Sequence, residues 1–238
     1  MLKGPLAATW DALELPELQA GAVATVRVSV RNAGTAPWRS GVFVSYHWLD
    51  DRDNPIVWDG IRTVPPVLAP GQEAAVALAV RAPMPPGRYR LAFDLVAENR
   101  AWFSELGNPM LRRDVDVGPR GGAAAAELPD WVTPAPDWAE RVAASHAEGF
   151  AVVAGAVAWP AGVLQRRPRA LQAYVPGGGR VPGFASPLLC PSVLPGVTLE
   201  RLADVEGLPA YAAPRDEPWV YDGRIVLTAR PRSGRRPG

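Results

Sequence analysis

Proline and glycine punctuate this chain throughout, with 27 prolines and 23 glycines in 238 residues. Proline fixes φ and donates no backbone hydrogen bond, and both residues favour turns, so every regular element is kept short and long helices are disfavoured. The chain is also 48% apolar and 21% charged, which leaves ample material for a core. Short strands joined by turns, with irregular stretches between them, are the expected outcome. The length suits two modest domains.

Residues 1–118 read as strands. In Val23–Val30 the residues Val26, Val28 and Val30 share one face, and Thr25, Arg27 and Ser29 share the other. That alternation is the signature of a half-buried strand. Val42–Trp48 alternates in the same way, placing Val42, Val44, Tyr46 and Trp48 opposite Phe43, Ser45 and His47. Ile56–Trp58, Glu73–Val80 with Val76, Leu78 and Val80 aligned, Tyr89–Val96 and Leu111–Val117 complete the set. Turn signals separate them, and the sum predicts an antiparallel β-sandwich.

Asn32-Ala-Gly34 followed by Trp38, and Pro86-Gly87-Arg-Tyr89 followed by Asp94-Leu95, Trp102-Phe103 and Gly107, resemble bacterial immunoglobulin-like accessory domains. The pattern is also similar to the four-tryptophan immunoglobulin-like domain of autophagy receptors, over about residues 8–118. It departs from that domain at Phe93, where the pattern has a tryptophan. The resemblance implies an immunoglobulin-like fold and a binding or spacing role. In the motif itself, Pro86-Gly87 sets a tight turn from which Tyr89 can return its hydroxyl to the backbone, as a tyrosine corner does. Trp38 follows a turn and can close one end of the sandwich.

Residues 119–130 turn abruptly to small side chains and predict a linker. Beyond it, residues 131–238 predict a small, loop-rich α/β segment. Asp137 precedes Trp138–Glu148 as a helix N-cap, and Gly149 ends that helix. Phe150–Val157 is a buried strand by composition, and Arg224–Ala229 is the last strand. One helix and two or three strands make a poor independent core, so this half is expected to pack on the first half or on a partner.

The formal net charge is +1, from 25 basic and 24 acidic residues. This balance gives no electrostatic reason to bind nucleic acid. The basic tail, Arg230, Arg232, Arg235 and Arg236, reads as a solvated terminus. Cys190 is the sole cysteine, so neither an intrachain disulfide nor a thiolate zinc site is expected, and with only His47 and His146 no metal or other cofactor is expected. The longest apolar run, Phe150–Val163, is broken by Pro160 and is too short to span a bilayer. With no signal-peptide pattern in evidence, a cytoplasmic location is the expectation.

Candidates for chemistry are few. Gly177-Gly-Gly179 before Arg180 reads as a turn rather than a phosphate loop, because Val181-Pro-Gly183 opens no helix. Asp50, Asp51 and Asp53 form an acidic turn without the calcium-loop pattern. Cys190 and Ser192 are the nearest approach to a nucleophile, with His146 the histidine of the same half, and neither Ser186 nor Ser192 sits in a nucleophile elbow. Asp216 and Glu217 precede Trp219, Tyr221 and Asp222, materials that suit either a sugar site or a core edge. Trp48, Trp58 and Trp102 suit either the core or a ligand-binding face. No catalytic residue is assigned.

The expected function is therefore a non-catalytic module whose sandwich docks a protein or a polysaccharide. Ligand contacts are expected at Trp48, Trp58, Trp102, Asp216, Glu217 and Trp219. The C-terminal half faintly resembles pieces of bacterial glycosyltransferase-type proteins in Glu148–Gly155, Gly178-Gly-Arg180 and Pro187–Ser192, without their Asp-x-Asp. That resemblance implies an alternative, an enzyme or fragment with chemistry in residues 130–230. A third reading is a spacer with no ligand.

Overall fold

The computed structural model describes residues 5–159, 177–182 and 187–230. They are mainly strand, and the chain divides into two units, residues 1–118 and 119–238.

The first unit contains β1 (Ala8–Glu14), β2 (Leu18–Gln19), β3 (Val23–Asn32), β4 (Val42–Leu49), β5 (Pro55–Val57), β6 (Glu73–Arg81), β7 (Gly87–Ala97), β8 (Ala101–Trp102) and β9 (Leu111–Gly118). One short 3-10 turn, η1 (Ser104–Leu106), follows β8. Strands β1-β3-β6 make a three-stranded sheet, and β2-β9-β7-β4-β5 a second one with β8 added on β7. The alternating faces meet as the period-two pattern requires. Val26, Val28, Val30, Val76, Leu78 and Val80 from the first sheet share one core with Val44, Tyr46, Trp48, Leu91, Phe93 and Leu95 from the second. Two sheets closing on one core is consistent with a β-sandwich.

The Asn32–Trp38 motif works through the buried Asn32 side chain. Its Oδ1 accepts the Gly34 amide at 3.0 Å, and its Nδ2 donates to the carbonyls of Ala36 and Leu68, both at 2.9 Å. The loop so fixed seats Trp38 in the core, edge-on to Phe103 at 5.7 Å between ring centroids. Gly34 is needed for close approach, since a Cβ there would lie 2.4 Å from the Pro5 carbonyl oxygen. The Tyr89 hydroxyl does return to the backbone, donating to the Pro85 carbonyl at 2.6 Å.

The second unit contains β10 (Ala125–Ala126), β11 (Val132–Pro134), α1 (Trp138–Ala147), β12 (Val152–Ala158), β13 (Arg180–Pro182), β14 (Leu188–Leu189), β15 (Ser192–Val193), β16 (Ala210–Tyr211) and β17 (Trp219–Ala229). A mixed sheet runs β10-β15-β12-β17-β11, with β13 added on β17 and β12 parallel to β17. Val142 of α1 packs with Phe150, Val153, Val220 and Ile225. A larger cluster gathers Val152, Ala154, Leu188, Leu189, Leu208, Ala210, Tyr221 and Leu227. Gly155 makes a bulge possible: β17 skips from Asp222 to Val226 opposite it, and a Cβ at Gly155 would sit 2.2 Å from the Ile225 oxygen.

Three expectations are corrected here. Residues 119–130 are not a free linker, because Ala125 and Ala126 pair with Val193 and Ser192, and Arg120 bonds to Glu217 at 3.0 Å. Short side chains are no bar to backbone pairing. The second unit has its own core, since β17 begins at Trp219 rather than Arg224 and the loops supply buried leucines. Asp137 does not cap α1 with its side chain, which accepts from Arg141 Nε at 2.6 Å instead.

A candidate interaction site around Trp58

The chain from Pro55 to Leu68 runs back along the free edge of β4. Val57 and Pro55 pair with Trp48 and Leu49, the Gly60 amide donates to the Tyr46 carbonyl, Thr63 bridges Val44, and Leu68 bridges Trp38. The segment can hug this edge because Gly60 has no Cβ, which would meet the Tyr46 ring at 2.4 Å. Its bonds to β4 fix its path, while much of its side-chain surface faces outward. Ile56, Val57, Trp58, Ile61, Val64 and Val67 are all exposed, Val64 and Val67 at 69% each.

Trp58 is anchored where this edge crosses the outer face of the sheet. His47 points away from the core, as the alternation of β4 requires, and is fully buried. Its ring stacks on Trp58 with centroids 4.0 Å apart and 22° between planes. His47 Nδ1 donates to the Trp58 carbonyl, and Nε2 lies 3.6 Å from Asp94 Oδ2. Trp102 of β8 closes the other side, 4.6 Å from His47 and 6.1 Å from Trp58. Buried Asp94 accepts the amides of Leu95 at 2.7 Å and Ser104 at 3.3 Å, tying η1 to β7 beneath the cluster. Trp102 is 9% exposed and Trp58 42%, so one indole is a backing plate and the other is half open. Beside them Arg62 bridges Asp59 and Glu98.

The expected binding role of Trp48 is corrected. It is wholly buried among the core residues, with Nε1 donating to the Arg81 carbonyl at 2.8 Å. Trp58 and Trp102 do come together, but 69° apart in plane, so they offer no flat pair of rings.

The C-terminal candidates do not converge. Glu217 is paired with Arg120, and Trp219 packs partly buried against the larger core cluster. Asp216 is exposed. Asp222 is buried and bonds Arg224 at 2.7 Å, with Arg180 Nε 3.6 Å away. Burial pushes its carboxyl up, but the Arg224 side chain and amide and the Arg180 charge outweigh that and hold it below the usual range. Among the described residues no three His, Cys, Asp or Glu side chains gather as a metal site would require. The acidic turn is taken up by structural contacts: Asp50 accepts the amides of Arg52 and Asn54, and Asp53 pairs with Arg90 of β7 and Arg112 of β9. Gly177–Gly179 leads into a strand at Arg180, not a helix. Pro176, Gly183, Ser186 and the tail arginines 232, 235 and 236 lie outside the described residues.

Two residues that the sequence singled out separately, His146 and Ser192, meet in the structure. His146 Nε2 meets Ser192 Oγ at 3.1 Å, and His146 Nδ1 meets the Phe150 carbonyl at 2.7 Å. The carbonyl requires a proton on Nδ1, so Nε2 accepts from the serine. Both residues are buried, and the pair crosslinks α1 to β15. Cys190, two residues away, is also buried, and burial pushes its thiol up to about 12.

No protein-family model and no curated protein matches the chain. Among solved structures, the β-glucosidase of Listeria innocua in complex with glucose is 16% identical at a TM-score of 0.31, covering 48% of this chain and 16% of that one. The ApaA protein of Bordetella pertussis is 22% identical at 0.28, covering 49% and 98%. A β-glucosidase of Paenibacillus barengoltzii is 13% identical at 0.27, covering 56% and 17%. The chain thus spans about a sixth of the β-glucosidases it resembles, and at TM-scores near 0.3 these likenesses decide nothing about its function. Among the described residues no helix is long and apolar enough to cross a membrane.

Proposed function

We propose that residues 1–118 are an immunoglobulin-like β-sandwich of the bacterial accessory type that docks a protein partner along the edge from Ile56 to Val67, with Trp58 as its anchor, and that the chain is not itself a catalyst. The observation that carries this reading is the row of exposed apolar side chains on a segment whose backbone is hydrogen-bonded to β4. Large apolar patches on a fixed scaffold mark interaction sites, and tryptophans backed by packed neighbours are typical anchors. Pro55, Pro65 and Pro66 lack the N–H that strand addition needs, so the partner meets side chains rather than extending the sheet. Aliphatic neighbours and the steep angle between Trp58 and Trp102 favour a protein over a polysaccharide, which would use flat rings flanked by polar groups. The glycosyltransferase-related alternative draws no support from Asp222 and Glu217, which are taken up by arginines. For residues 131–238, α1 beside the parallel β12–β17 pair supports the α/β reading.

The test places a photoreactive amino acid at Val64, or at exposed Thr25 as control, in the protein's native host. One protein crosslinked from position 64 and not from position 25 is expected. Once purified, it should bind the chain at least ten-fold more weakly after Trp58→Ala. An absence of position-64 adducts, or a soluble polysaccharide whose binding depends on Trp58, would overturn the reading.

A further inference from the structure

A second concavity on the first unit is built for a different ligand. A cleft of about 400 Å³ lies between the segment Pro5–Ala7 and the stretch Arg100–Asn108, within the size range of small-molecule sites. Its walls are chiefly apolar, from Pro5, Leu6, Ala101 and Leu106. Leu106 is 45% exposed, so its side chain is open to a ligand in the cleft. Asn108 sets the two walls in place: its Oδ1 accepts the Ala8 amide at 2.9 Å, and its Nδ2 donates to the carbonyls of Leu6 at 3.3 Å and Phe103 at 2.9 Å. Gly34 holds the same segment from behind, through its close approach to Pro5. The cleft therefore exists before any ligand arrives.

The polar group left to meet a ligand is Arg100. Its side chain is exposed and makes no ion pair among the described residues, where Glu98 pairs with Arg62 and Glu105 accepts the Trp102 amide. Asn108 has spent its side chain on the walls. An apolar trough with one available guanidinium at its side matches an aliphatic chain that ends in a carboxylate, since arginine grips a carboxylate through two parallel N–H donors.

We propose that this cleft binds a small aliphatic carboxylate, with the chain on Leu6, Ala101 and Leu106 and the head group on Arg100. The proposal does not rest on the reading of the edge around Trp58, although Ala101 of the cleft and Trp102 of that cluster are neighbours on β8.

Calorimetric titration of the full chain with sodium hexanoate, octanoate and decanoate, with octanol as the uncharged control, tests this. Each further buried methylene should tighten binding about four-fold, the equivalent of ~0.8 kcal/mol. Octanol should bind at least ten-fold more weakly than octanoate. Arg100→Gln should erase that difference while leaving octanol unchanged, and Leu106→Trp, on an exposed turn, should fill the cleft and abolish both. No saturable binding of decanoate, equal affinity for acid and alcohol, or unaltered octanoate binding by Arg100→Gln would overturn the proposal.

Discussion

The His47 imidazole lies flat against the Trp58 indole at 4.0 Å and donates to the carbonyl of that same residue, so one histidine fixes both the ring and the backbone of the half-exposed tryptophan. A tryptophan held on one face loses little freedom when a partner covers the other. Removing the ring uncovers His47 and Trp102 together. Trp58→Ala should therefore cost about 1–2 kcal/mol in the first unit, less than a fully buried tryptophan would. The loss should appear as faster hydrogen exchange in β4 with the second unit unchanged.

Asn32 carries the loop that seats Trp38. In Asn32→Ala the Ala36 carbonyl and the Gly34 amide lose their side-chain partner, and the Leu68 carbonyl loses one of two donors, keeping the Trp38 amide at 2.9 Å. Losing these bonds costs about 1–3 kcal/mol in all. Near-ultraviolet circular dichroism should also change, because Trp38 and Phe103 lose their fixed edge-to-face geometry.

His146 makes the second unit acid-sensitive. Burial pushes its imidazole below the ordinary histidine value of 6.5, and the Arg120 charge adds to that against the bond to Phe150. In the unfolded chain the group takes up a proton as pH drops through about 6.5, while the folded form resists. Stability is thus fully present above that pH and declines as pH falls toward the lower folded value. Urea midpoints of the second unit should drop as pH falls below about 6.5. His146→Gln, which keeps a polar partner for Ser192, should flatten that decline.

Cys190 should be inert in the native protein. It is buried and its thiol is pushed up to about 12, chiefly by burial. At pH 8 a thiol reagent should label it only through opening of the second unit, with full reactivity returning in denaturant. Rapid stoichiometric labelling of the native chain would contradict the buried placement.

The strands of the first unit were legible because their signal is local. Val26, Val28 and Val30 alternate with Thr25, Arg27 and Ser29, and the structure buries the first set in the core. The same rule places Trp48 with Val44 and Tyr46 and sends His47 to the other side, so the core role of Trp48 was already written in β4. The tyrosine turn at Tyr89 was legible for the same reason, since its partner Pro85 is four residues away.

What the tertiary structure alone decided is which distant residues meet. His47, Trp58 and Trp102 come together only because the chain after β5 turns back along β4 and β8 adds to β7. His146 and Ser192 sit 46 positions apart and meet through the packing of a helix on a sheet. Small-residue stretches such as Ala125–Ala126 carry no periodicity, so their place in a sheet is set by backbone bonds to a strand far along the chain. The cleft beside Arg100 has the same origin, for Asn108 reaches across about a hundred positions to bind the backbone at Leu6 and Ala8. Periodicity reports which face of an element is buried; the side chains that face one another across elements are fixed by topology, which a single local pattern does not encode.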